Sequence, residues 1–315
     1  MKRVVSVSLG SSKRNHTVEI DVLGEKVSIE RIGTDGSLEK AAEMISDLDG
    51  KVDCFGLGGT DLYVFAGTKR YTIREAAKIA KHAKKTPIVD GSGLKNTLER
   101  RTISYLHETE GITLADKKVL MVCAMDRFGM AEALESTGAK MTYGDLIFVL
   151  GVPIPLHSLK ALDKLARLAA PIVVQMPLKS LYPTGKKQEI KNIQSKYKKY
   201  YDDAHIIAGD FHLIKKHIPQ TLNEKIIITN TVTKEDIEDL KSKGVSLLVT
   251  TTPHLNGRSF GTNVIEGVLV VLAGKGSVEL TGDEYLNLLE KLNFIPHIEW
   301  LNENKIQIKE QINHG

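Results

Sequence analysis

Short runs of apolar and β-branched residues alternate along the chain with stretches whose apolar positions recur every three or four residues. This is the pattern of strands alternating with amphipathic helices. The first third predicts strands over Val4–Leu9, Thr17–Val22 and Val27–Ile32, the latter two joined by a turn around Gly24 and Glu25. A helix over Leu38–Leu48 follows, with Ser37 placed to cap it. Strand Val52–Phe55 runs into a glycine cluster. Helix Ile73–Lys84, strand Pro87–Val89 and a helical stretch from Asn96 to Thr109 complete the region.

Beyond Lys117 the rhythm is cleaner. Strands are predicted over Val119–Cys123, Lys140–Tyr143, His205–Ala208, Ile226–Thr229 and Leu247–Thr250, with helices over Gly129–Ser136, Ser158–Ala169, Leu213–His217 and Lys234–Lys243. Strands that each feed a helix build βαβ units and a largely parallel sheet. The expected class is therefore α/β: a Rossmann-like parallel-sheet domain preceded by a smaller α/β substrate domain. The boundaries read as 1–112, 113–275 for the nucleotide-binding part, and a helical tail over 276–315 that packs on the body. Asn263-Val264-Ile265-Glu266, just ahead of an apolar run to Leu272, reads as a capping box with Asn263 as cap and Glu266 reaching back. The tail holds an amphipathic helix, Asp283–Leu292, and the single tryptophan, Trp300.

Composition narrows the function classes. At 315 residues, 42% hydrophobic and 26% charged, the chain has the make-up of about two globular domains and not of a disordered or disulfide-stapled protein. Forty-three basic against 39 acidic residues leave +4, too small an excess to imply nucleic acid. Cys54 and Cys123 each lie in an apolar run, which fits buried thiols in a reducing, cytoplasmic setting. No apolar run reaches the ~18–20 residues of a membrane span, and the N-terminus lacks a signal peptide's apolar region. Histidines and cysteines show no metal-ligand spacing, and no GxSxG elbow or P-loop occurs. Lysines and tyrosines interleave from Lys179 through Tyr182, Lys186, Lys187 and Lys196 to Tyr201, which reads as a solvated loop or lid. The expected partner is a small-molecule substrate, with a homo-oligomer left open.

The strongest chemical signal is Val119–Ala131, a buried strand turning into a helix. With Gly129 as the last glycine of a dinucleotide-binding GxGxxG, the first two positions are Ala124 and Asp126. A carboxylate at Asp126 repels a diphosphate. Asp145, at the end of the next strand and 21 residues after Ala124, has the offset of the acid that holds an adenosine ribose, and it favours NAD over NADP. Ala124, Asp126, Arg127, Phe128, Gly129 and Asp145 are thus cofactor candidates, the other reading being a plain crossover with a solvated aspartate. Ligands of open α/β sheets bind beyond the carboxyl ends of the strands, which adds Asp210, Asn230, Thr231 and Thr251 to that rim. On the substrate side, Gly58 and Gly59 expose backbone amides or serve a turn of positive φ, and Asp90 ends a strand. The loop Arg258–Asn263 ahead of a helix could hold an anion or be a simple cap.

Gly93-Leu94-Lys95-Asn96-Thr97 resembles the GxNTD segment of shikimate and quinate dehydrogenases, with Leu98 in the place of the aspartate and Glu99 beside it. Arg70-Tyr71-Thr72-Ile73 is similar to that family's NVTxPxK segment without its proline, and Ser6-Val7-Ser8 and Asn15-His16 are similar to its SxS and HN elements. The whole chain resembles bacterial proteins labelled quinate 5-dehydrogenase. The resemblance implies an NAD(P)-dependent oxidoreductase acting on a small hydroxylated acid or cyclic polyol in a cleft between two domains. Asn96 and Thr97 would hold substrate hydroxyls, Lys95 or Lys69 would transfer the proton, and Asp145 would hold the ribose. Asp126 keeps a second reading open: a binding protein or transferase for S-adenosylmethionine or another adenosine compound without a diphosphate. A non-catalytic interaction protein on the same scaffold is a third.

Overall fold

The computed structural model describes residues 1–66, 69–181, 197–252, 254–255, 258–276 and 279–302. They fall into two compact units that are interleaved in sequence, unlike the contiguous blocks expected from the rhythm. The first is Met1–Thr97 with Leu165–Glu189 and His254–Phe294; the second is Leu98–Lys164 with Ile190–Pro253 and Ile295–Gly315. Among the described residues no helix is long and apolar enough to cross a membrane.

The first unit opens with β1 (Lys2–Ser8), β2 (His16–Val22) and β3 (Glu25–Gly33), then α1 (Leu38–Leu48), β4 (Cys54–Gly58), a hairpin of β5 (Tyr63–Ala66) and β6 (Lys69–Thr72), α2 (Arg74–Ala80) and β7 (Ile88–Val89). Its sheet runs β2-β3-β1-β4-β7, parallel except for β2. Leu23 and Gly24, both at positive φ, close the β2–β3 hairpin in two residues, the geometry that matches strand twist. Val5, Val7, Phe55 and Leu57 pack under Ala41 and Ile45 of α1 and Ala76 of α2. The β5–β6 hairpin had no signal in the sequence. It is pinned by Arg70, which lies 4.1 Å over the Tyr63 ring and pairs with Glu279 at 2.9 Å.

Helix α3 (Ser92–Glu108) carries the boundary between the units. It starts four residues earlier than the sequence predicts, because Asp90 Oδ1 accepts from the Ser92 amide and hydroxyl at 3.0 and 2.6 Å and fixes the first turn. Gly93, Lys95, Asn96 and Thr97 therefore sit on a helix and not on a loop.

The second unit continues with β8 (Lys118–Met121), α4 (Phe128–Ser136), β9 (Lys140–Tyr143), a π-helical turn over Asp145–Val149, and the start of α5 (Leu159–Val173), a helix whose residues from Leu165 on belong to the first unit. After α6 (Leu178–Leu181) of the first unit come α7 (Lys198–Asp203), β10 (Ile206–Gly209), α8 (Phe211–His217), β11 (Ile226–Thr229), α9 (Lys234–Ser242) and β12 (Leu247–Thr250). The parallel order is β9-β8-β10-β11-β12, with β15 (His297–Trp300) antiparallel at the β12 edge. Order of appearance 2-1-3-4-5 makes this a doubly wound sheet whose switch point lies between β8 and β10. Met130 and Leu134 of α4 cover one face, Ile214 of α8 and Leu240 of α9 the other.

Between β12 and β15 the chain forms β13 (His254–Leu255), β14 (Arg258–Ser259), α10 (Thr262–Ala273) and α11 (Gly282–Lys291), all in the first unit. Helix α10 is buried from Val264 to Val271 and packs on β4 and β1. The expected capping box does not form. Gly261 is the cap, the Asn263 side chain donates instead to Ser6 Oγ at 2.8 Å, and Glu266 reaches away from its own helix start. Its carboxyl accepts from Gly91 N (2.6 Å), Leu94 N (3.2 Å) and Tyr285 Oη (2.6 Å), so it serves the start of α3.

Burial, and secondarily the charge of Asp90, pushes the Glu266 pKa up to about 7. A carboxyl raised in the folded chain is ionised first in the unfolded one, so stability falls as pH rises from about 4.5 towards 7, by about 3 kcal/mol in full. Urea titrations across that range should show this slope in the native chain. In Glu266→Gln the slope should vanish, on top of a pH-independent loss from the altered hydrogen bonds.

Candidate functional site

The carboxyl ends of β8, β10, β11 and β12 bring most of the expected cofactor residues together, in a closed arrangement. Beyond β8 the chain turns through Cys123, Ala124 and Met125 into α4, where Phe128 and buried Gly129 begin the helix. Amides at such a turn are a ready anion site. Here the anion is Asp145. Its carboxylate accepts from Ala124 N at 3.0 and 3.1 Å and from Met125 N at 2.9 Å, and it is only 3% exposed. The π-helical turn that carries Asp145 points it back at this strand end. Its carboxylate is therefore engaged by backbone amides, whereas the sequence reading placed it on a ribose. Burial, joined by the charge of Asp145, also holds the neighbouring Cys123 thiol far above the usual range, so it stays protonated.

Arg127 is buried beside this turn. It pairs with buried Glu99, approaches Asp210 at 3.4 Å, and faces Asp126 at 3.9 Å. Asp210 caps α8 through the amides of His212 (2.9 Å) and Leu213 (3.3 Å), and accepts from Asn230 Nδ2 at 2.8 Å. Asn230 Oδ1 in turn accepts from Phe211 N at 3.0 Å. Thr231 and Thr252 share a hydroxyl hydrogen bond of 2.8 Å, and the Thr251 amide donates to Thr229 O. Three acids thus surround one arginine.

The expected substrate residues lie on the first unit. Gly58 ends β4 opposite Ser8, and Gly59 has φ +74° with its missing Cβ directed 3.0 Å from Gly10 N, so the turn reading of this glycine pair is sufficient. Asp90 is a tie: Oδ2 accepts from the amides of Leu62 (2.5 Å) and Tyr63 (3.1 Å) while Oδ1 holds Ser92. Asn96 is exposed, and Lys95 and Thr97 are half-buried, on α3. Lys69 is exposed on β6, with Nζ 5.0 Å over the Tyr71 ring. Tyr182, Lys186, Lys187 and Lys196 lie outside the described residues, as does the side chain of Arg258.

One group on the first unit's rim went unread in the sequence. Around Gly10 converge Arg31 Nη2, Arg14 Nη2 and Ser8 Oγ, at 2.9, 3.1 and 3.2 Å from the point a Cβ would occupy. Residues 14 and 31 lie apart in sequence and meet because β2 pairs with β3, His16 opposite Arg31, so no local motif announces the cluster.

The Glu99–Arg127 pair gives a stability test. Arg127→Met leaves Glu99 buried without its counter-charge and should cost about 3–5 kcal/mol in chemical denaturation. Adding Glu99→Gln should restore most of that loss, because the stranded charge goes with it.

Comparison with known proteins adds family but no activity. A domain of unknown function, DUF8753, matches residues 3–90, and a second, DUF8754, matches residues 93–301. No curated protein matches the chain. Among solved structures, a periplasmic binding protein of an arabinose transporter from Shewanella sp. ANA-3 is 11% identical over 100% of this chain and 99% of its own, with TM-score 0.39. L-tryptophan dehydrogenase from Nostoc punctiforme is 12% identical over 100% and 89%, at 0.38. A glutamate dehydrogenase is 12% identical over 93% and 67%, at 0.40. By the model that spans residues 93–301, the chain belongs to the family described as domain of unknown function DUF8754.

Proposed function

We propose that the second unit takes an adenosine compound that lays no diphosphate on the turn after β8, and that the chain works as a group-transfer enzyme of the S-adenosylmethionine type. The observation that carries this reading is the Asp145 carboxylate on the amides of Ala124 and Met125. As folded, the turn offers a dinucleotide neither of those amides, and Asp126 beside it repels phosphate. The carboxylates of Glu99, Asp126 and Asp210 set around Arg127 suit a cationic sulfonium better than a polyanion. The rim itself lies where doubly wound sheets hold ligands.

The resemblance carried by Gly93, Asn96 and Thr97 favours instead NAD(P)-linked oxidation of a small hydroxylated acid or cyclic polyol. For that, Asp145 would have to release the turn amides. The residues present do not fit the diphosphate, so no hydride-transfer step is drawn from them.

Thermal shift of the full chain with S-adenosylmethionine, NAD, NADP and ATP separates the readings, since a ligand at 100 times its Kd stabilises by about 2.7 kcal/mol. The expected result is stabilisation by S-adenosylmethionine and none by NAD or NADP. Stabilisation by NAD or NADP alone, or cofactor reduction with quinate or shikimate followed at the nicotinamide absorbance, would overturn the proposal. Silence with every ligand would favour an interaction protein.

A further inference from the structure

The segment that follows the π-helical turn in the second unit leaves its apolar side chains in water. Val149 is 56% exposed, Leu150 61%, Val152 40% and Ile154 55%. Single apolar residues scattered over a surface need no explanation, but a contiguous group marks a contact with something apolar.

The backbone here makes its own hydrogen bonds. Pro153 and Pro155 have no N–H to leave unpaired. The Val152 amide donates to Leu146 O at 2.8 Å, the Ile154 amide to Val152 O at 2.7 Å and the Leu156 amide to Tyr143 O at 3.1 Å. From Val152 to Leu156, then, every backbone donor is used or missing. Two carbonyls receive tyrosines: Tyr197 Oη donates to Gly151 O at 3.4 Å and Tyr200 Oη to Pro153 O at 3.2 Å. Water would satisfy all these groups, so an exposed loop does not require the closure. Hydrocarbon does, because it offers an unpaired N–H or C=O no partner. A protein that bound an extended segment would bring backbone donors and acceptors of its own and favour one left open.

Charge beside the segment has the sign that an anionic surface attracts. Lys199 Nζ lies 4.8 Å over the ring of Tyr200, the residue that holds Pro153, and Lys160 stands exposed in the first turn of α5. Among the described residues neither lysine has an acid partner. The acids of α7 are already paired, Asp202 with Lys198 and Asp203 with Lys118, both at 2.6 Å. Apolar side chains outward, tyrosines at their base and lysines next to the tyrosines is the order of groups across a membrane interface.

We infer that residues 149–154 dip into the apolar boundary of an anionic bilayer, with Tyr200 at headgroup level and Lys199 and Lys160 on the acidic lipids. This contact does not depend on the adenosine reading, and either can fail alone.

Flotation of the full chain with vesicles tests it, phosphatidylcholine alone against phosphatidylcholine carrying about 30% phosphatidylserine. The chain should float with the anionic vesicles and not with the neutral ones, and added salt should release it. Leu150→Ser combined with Ile154→Ser removes two exposed anchors and should weaken binding by about ten-fold or more. Lys160→Ala and Lys199→Ala should each cost about five-fold. Tyr200→Phe keeps charge and apolar surface but strips Pro153 O of its donor, and should weaken binding several-fold. No flotation, equal flotation with neutral vesicles, or flotation unchanged in the Leu150 and Ile154 variant would overturn the inference. So would a dimer that forms in place of flotation and is lost in that variant, which would give the segment to a second copy of the chain.

Discussion

A buried carboxylate laid across the free amides of a helix start is the interaction around which both units are organised. The first turn of any helix leaves N–H groups without partners inside the helix, and the aligned peptide dipoles make that end electropositive. In the second unit Asp145 answers for the turn after β8; in the first, Glu266 answers for the start of α3. Each acid comes from a distant part of the chain, so each contact also ties elements together: the π-helical turn to β8, and α10 to α3. Burying the carboxyl groups is costly, as the raised pKa of Glu266 records, and the amides they receive offset part of it.

These internal anions decide what chemistry is left. The turn after β8 gives two of its amides to Asp145, and Arg127 beside it is surrounded by Glu99, Asp126 and Asp210.

Much of the fold was legible from hydrophobic periodicity. The strands over Lys140–Tyr143, Ile226–Thr229 and Leu247–Thr250 and the helix Leu38–Leu48 lie where apolar spacing put them. What escaped was set by non-local contacts. Asn263 and Glu266 have the spacing of a capping box, but their partners, Ser6 and the start of α3, come from far along the chain and outcompete the local pairing. Strand β15 exists because the β12 edge accepts it, and hairpin β5–β6 because Asp90 and Glu279 hold it. Position gave away Asp145 as important, through its offset from β8; that its carboxylate faces the turn depends on a π-helical turn that no periodicity encodes.

The sealing of the turn by Asp145 is read most directly from amide hydrogen exchange at Ala124 and Met125. These two amides should exchange slowly in the chain alone, lose that protection in Asp145→Ala, and show no added protection when NAD is present. Fast exchange in the native chain, slowed only by a dinucleotide, would contradict the account.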